Sequence, residues 1–75
     1  MKLMQIDFYK FNGRFYFETD NHEGRVVISI EEHFGEKFKH VSHLELDYDI
    51  EDEEYDILLN YMRDNINEIL NAKSL

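Results

Sequence analysis

The chain has no cysteine, so neither a disulfide nor a thiolate zinc site can staple its fold. An intracellular home is the simpler expectation for such a composition. Glycine is scarce as well: the three present are each placed for a turn, which leaves none to cradle a phosphate. No apolar run approaches the length that spans a bilayer, and MKLMQIDF opens without the apolar stretch of a signal peptide. These absences predict a soluble, cytoplasmic protein with no membrane partner. There is no nucleophile elbow and no Ser/His/Asp ordering. Seventeen acids make any one carboxylate pair uninformative about acid–base catalysis, and 75 residues leave little room for a sizeable pocket. The expectation is therefore a protein that is not an enzyme and needs no cofactor.

Basic residues are also few, and their distribution says more than their number. Eight Lys and Arg face 17 Asp and Glu, for a net charge of −9. Residues 1–44 hold seven acids and six bases, whereas residues 45–75 hold ten acids and two bases. An anionic second half would be repelled by bare nucleic acid and by anionic lipid. A basic partner or a cation would be attracted.

What the sequence does contain is enough apolar matter to fold. It is 43% hydrophobic, with six Phe and five Tyr, in a length that suits one small domain spanning 1–75. Residues 3–11 alternate as a strand with Met4, Ile6 and Phe8 on one face. Asn12-Gly13 is a strong two-residue hairpin signal, because both turn positions need positive φ. The return strand is 14–20, and a two-residue turn sets Phe8 opposite Phe17, Tyr9 opposite Tyr16 and Phe11 opposite Arg14. Phe8, Phe17, Ile6 and Phe15 then face the core, while Tyr9, Phe11 and Tyr16 lie outward. Those three aromatics stabilise a thin sheet by cross-strand pairing or form a self-association patch.

Residues 20–24 have turn chemistry, and a third strand runs over 25–30. Residues 29–37 admit two readings: a helical turn entered by the Ser29–Glu32 capping box and closed by Gly35, or a wide hairpin loop. A fourth strand over 38–48 puts Leu44, Leu46 and Tyr48 on one face and Glu45, Asp47 and Asp49 on the other. Tyr55, Leu58, Leu59, Met62, Ile66, Ile69 and Leu70 then mark one stripe of a long helix over about 52–72. Asp49 or Asp52 is positioned to cap it, and Lys73 suits its far end. The fold class expected is α+β: an antiparallel meander of four strands, or at least three, packed against one long C-terminal helix.

The densest feature is ELDYDIEDEEYD, residues 45–56. Glu45, Asp47, Asp49, Glu51, Asp52, Glu53, Glu54 and Asp56 are acidic, and no Lys or Arg occurs between Lys39 and Arg63. Aligned as an EF-hand loop, Asp47, Asp49 and Glu51 take the first ligand positions. The alignment then fails, with Asp52 where glycine is needed and Leu58 where a bidentate Glu is needed. A weak divalent-cation binder is the most this run supports in that direction. His33, His40 and His43 match no zinc spacing, and a regular strand would put His40 and His43 on opposite faces. No metal site is expected.

The remaining reading is a binding surface. Carboxylates along a strand and the first turns of a helix imitate a row of phosphates and suit a basic, nucleic-acid-binding groove. Tyr48, Tyr55 and Tyr61 are placed among them as anchors. Helix capping accounts for some of the acids but does not reach Glu45 and Asp47. In size, charge and β-rich-plus-helix plan, the chain is similar to the small acidic inhibitors that phages use against host nucleases and CRISPR effectors. It is similar in the same general way to acidic immunity proteins that neutralise nuclease toxins; no single residue carries the likeness. The expected function is a small acidic inhibitor acting as a nucleic-acid mimic, its partner-binding residues Glu45, Asp47, Tyr48, Asp49, Glu51, Asp52, Glu53, Glu54 and Asp56. The alternative is a regulatory module that self-associates through Tyr9, Phe11 and Tyr16. The sequence does not fix an oligomeric state.

Overall fold

A computed structural model describes residues 5–20 and 22–75. Among these residues, five strands form one sheet in the order β4-β3-β2-β1-β5, and a helical segment covers one face. Strands β1 (Asp7–Phe11) and β2 (Arg14–Glu18) pair in the register that Asn12-Gly13 predicts, with Phe8 opposite Phe17 and Tyr9 opposite Tyr16. Both turn residues have positive φ, 51° and 75°, the mirror-image turn whose twist matches the strands. The expected start of the first strand at Leu3 and Met4 lies outside the described residues.

Strand β3 (Glu23–His33) is longer than the 25–30 expected, whereas β4 (Glu36–Leu46) has the expected length but lies two residues earlier than 38–48, so Asp47 and Tyr48 fall beyond its end. The segment 29–37 is neither a helical turn nor a wide loop. Phe34 and Gly35, at φ 53° and 82°, close a tight two-residue turn, so the ladder runs from Gly24↔Leu46 out to His33↔Glu36. Strand β2 meets β3 only over Val26 to Glu23, and the rest of the β3–β4 hairpin reaches past the sheet as an arm. Ser29 to Glu32 resembles a cap but remains extended, because the arm's cross-strand bonds already satisfy its backbone. The arm leaves Ile30 and Phe38 exposed and Phe34 95% exposed.

Ser42 is an extra residue in β4: Val27 pairs with His43 while Ile28 pairs with Val41. Its hydroxyl donates to the Val27 carbonyl at 3.2 Å. A bulge inverts the period-two rule across itself. Val41 and Leu44, three apart, therefore both enter the core, and His40 and His43 share the outer face rather than opposing faces.

The single long helix expected over 52–72 is instead two pieces, α1 (Asp52–Asp64) and α2 (Ile66–Leu70). Asn65 separates them, with its side-chain amide donating to the Tyr61 carbonyl at 2.8 Å. Asparagine competes with the helix for its own carbonyls, and Asn71 repeats the device on Asn67 at 2.8 Å. The redirected chain ends in a short strand β5 (Lys73–Ser74), which runs parallel to β1 with Tyr9 beside Lys73. The Leu75 amide extends the pairing to the Lys10 carbonyl at 2.8 Å. The sheet is therefore mixed and five-stranded, not a four-stranded antiparallel meander, and Lys73 serves a strand rather than a helix end.

The stripe of apolar residues at helical spacing packs as its period requires. Leu58, Met62 and Ile69 are buried with Phe17, Val26, Val41 and Leu44, and Ile6, Phe8, Phe15, Tyr55, Leu59 and Ile66 pack around them. This layer fixes which sheet face is inner. The opposite face is left open to solvent, and there the site is assembled.

Candidate functional site

Strand register arranges the outer face in rows. The middle row is Lys73, Tyr9, Tyr16, Arg25 and Glu45, one residue from each strand. The Tyr9 and Tyr16 rings stack at 5.3 Å with 12° between their planes. Arg25 Nη1 donates to Glu45 Oε2 at 3.2 Å. Arg25 Nε is buried and has no hydrogen-bond partner among the described residues. His43 Nε2 stands 3.8 Å from the other Glu45 oxygen.

Two residues along each strand lies a row of acids. Asp7 is directly opposite Glu18, and Glu18 directly opposite Glu23. Asp47 continues the row just past the end of β4 and lines the same cleft as Glu23. The cleft, of about 410 Å3, is walled by Tyr9, Tyr16, Arg14 and Leu46 with Glu23, Arg25, Glu45 and Asp47. Burial raises the Tyr9 hydroxyl above its ordinary value, and the neighbouring charges of Glu23 and Glu18 push it the same way.

The other acids follow from the chain path. Beyond Leu46, residues 47–51 cross from the outer layer to the helix layer. Tyr48 secures this crossing: its ring stacks on His22 at 3.9 Å between centroids. Burial first, then Asp47 and Glu54, raise its hydroxyl. Tyr48 thus touches the influence of both halves of the acidic run. Glu51 is the residue at the N-terminal boundary of α1, and among the described residues no side chain makes a capping hydrogen bond there; the expected cap by Asp49 or Asp52 is not formed. Asp52, Glu53 and Glu54 occupy the first turn, where the macrodipole favours anions.

The nine partner-binding candidates therefore do not form one flat strip. Glu45 and Asp47 belong to the outer face with the tyrosines. Asp49 and Glu51 lie on the crossing, and Asp52, Glu53, Glu54 and Asp56 belong to a helix packed on the opposite face. All eight acids are exposed, and among the described residues only Glu45 of them has an ion pair. Sequence reasoning missed Asp7, Glu18 and Glu23. The signal was present, because the Asn12-Gly13 register that pairs Phe8 with Phe17 also pairs Asp7 with Glu18.

Of the self-association candidates, Tyr9 and Tyr16 stack on each other and wall the cleft, whereas Phe11 stays 48% exposed beside the turn. His40 Nε2 lies 2.8 Å from Glu31 on the arm. Among the described residues, no three His, Asp or Glu side chains converge in a way that could hold a metal ion. No described helix is long and apolar enough to cross a membrane. The chain matches no protein-family model, and neither curated proteins nor solved structures yield a match to it.

Proposed function

We propose that this is a non-catalytic acidic binding protein that occupies the nucleic-acid site of a basic protein. The observation that carries the reading is the gathering of carboxylates at one end of the molecule. The ends of β2 and β4 and the starts of β1 and β3 share one end of the sheet, and α1 begins after the five-residue crossing 47–51, with Glu54 and Asp47 both acting on the Tyr48 hydroxyl. They bring Asp7, Glu18, Glu23, Asp47, Asp49, Glu51, Asp52, Glu53 and Glu54 to one exposed pole. A pole of that kind attracts a groove lined with Lys and Arg and speeds association at low salt. An inhibitor of a nuclease or of a CRISPR effector, such as phages direct at their hosts, is the role that suits it; an immunity protein would use the same surface.

The test is affinity capture from a bacterial lysate at low salt, followed by competition. The expected outcome is a basic nucleic-acid-binding protein that elutes with salt, is displaced by duplex DNA or RNA, and loses its own nucleic-acid binding when this chain is added. A companion variant, Glu51→Gln with Glu53→Gln and Glu54→Gln, keeps the helix and should capture at least tenfold less. Capture that ignores both salt and nucleic-acid competitor, or that is unchanged in the variant, would overturn the reading.

A further inference from the structure

The acid row on the outer face has no folding rationale. Asp7 opposes Glu18 and Glu18 opposes Glu23, and like charges directly across a ladder are destabilising. Among the described residues, none of these three acids has an ion pair. The row borders a cleft whose other wall is a stacked pair of tyrosines. Within the cleft Arg25 Nη1 is matched to Glu45, while its Nε has no partner among the described residues; Glu23 and Asp47 share the lining with Arg14. A cation with a flat face answers Glu23 and Asp47, neither ion-paired among the described residues, and the aromatic wall beside them.

We propose that the cleft receives a guanidinium, an arginine side chain of the partner lying against the Tyr9–Tyr16 stack with its N–H groups toward Glu23 and Asp47. This rests on the reading of the acidic pole as a surface for a basic protein. Guanidinium fits better than ammonium for three reasons. Its plane stacks on aromatic faces, its fork matches carboxylate oxygens, and it is more weakly hydrated. The negative field at the Tyr9 hydroxyl, set by Glu23 and Glu18, is the field such a cation would enter. An anion bound at Arg14 would have to sit beside Glu23, Glu45 and Asp47.

The experiment is an NMR titration of the intact chain with N-acetyl-arginine amide, with the lysine and norleucine amides as controls. The expected result is saturable shifts of the Tyr9 and Tyr16 ring signals, with a Kd on the order of a few millimolar for so small a probe. The lysine amide should bind about threefold or more weakly, and the norleucine amide should leave the rings unmoved. In a Glu23→Gln, Asp47→Asn variant the affinity should fall about fivefold or more. That variant removes like charges, so it should fold at least as well as the parent. Ring signals that do not move overturn the site. So does equal binding by the variant, or equal binding of the lysine amide. The titration uses no partner protein, so it can fail while partner capture succeeds, and the reverse.

Discussion

Gly24 shows how one atom fixes a residue. It sits inside β3 rather than in the turn that Asp20 to Gly24 suggested, because a Cβ there would lie 2.6 Å from Phe17 Cε1 and 2.8 Å from Leu46 Cδ2. The third close atom, the Glu45 carbonyl oxygen at 2.9 Å, is backbone and cannot swing aside. Phe17 is fully buried, so its ring has no free space to retreat into. Gly24→Ala should therefore cost about 1–3 kcal/mol by overpacking, measured as a lowered urea midpoint with unchanged slope. The tyrosines give a second outcome at this scale. Tyr9 and Tyr48 hold their hydroxyls above the ordinary value, so the folded chain keeps those protons after the unfolded chain has released them. The stability they contribute is complete below pH of about 10 and is lost as pH rises through their folded values. Phenolate absorbance, read with Tyr9→Phe and Tyr48→Phe variants to assign the signals, should show these two ionising later in the folded chain than in urea. Normal ionisation of both would remove the buried, acid-flanked settings described for them.

Strands and helices divide by how much of their cause is local. The β1–β2 hairpin was legible residue by residue, because Asn12-Gly13 specifies both the turn and the register. The helical stripe was legible for the same reason, since its period is a property of neighbours three and four apart. Phe34-Gly35 was not, because a phenylalanine at positive φ contradicts the local preference for Asn or Gly; pairing along the arm holds it there. The Ser42 bulge was equally hidden: one extra residue inverts the face of everything beyond it, and no composition signal marks it. β5 could not be foreseen while 52–72 was read as one helix, because only the break at Asn65 returns the chain to β1. The candidate site was legible in part. Glu45 and Asp47 lie apart from the acids of the first helical turn, as the strand pattern suggests, but Asp7, Glu18 and Glu23 come from strands distant in sequence.

The edge of β4 adds a prediction at the scale of an element. Its outward backbone would be open to another strand, and α1 closes it with side chains. The Leu44 amide donates to the Tyr55 hydroxyl at 2.9 Å, and Arg63 Nε donates to the Val41 carbonyl at 3.1 Å. Tyr55→Phe keeps the ring in the core but leaves that amide without its acceptor. It should lower stability by about 1 kcal/mol and speed exchange of the Leu44 amide relative to its neighbours. Uniform exchange along β4 in both proteins would mean that the hydroxyl does not guard the edge.

For the whole molecule, the charge asymmetry of the sequence becomes a polarity in space. The sequence places the excess in residues 45–75, whereas the fold adds Asp7, Glu18 and Glu23 to the same pole and carries Lys37 and Lys39 away on the arm. Total charge is then a poor guide to the effect of removing one carboxylate, and position decides the sign. Glu18→Gln takes away two directly opposed like-charge contacts, with Asp7 and with Glu23. It should raise stability by about 0.5–1.5 kcal/mol at low ionic strength. Glu32→Gln makes the same change in net charge, but Glu32 lies directly across from Lys37, so it should lower stability by a few tenths of a kcal/mol. Both differences should shrink as salt rises from about 0.01 to 0.5 M, because the screening length falls below the spacing of the groups. Denaturation of the two variants at both salt levels checks this. Equal shifts of the same sign would show that net charge alone governs the response, and would remove the crowded acidic pole as support for the proposed binding surface.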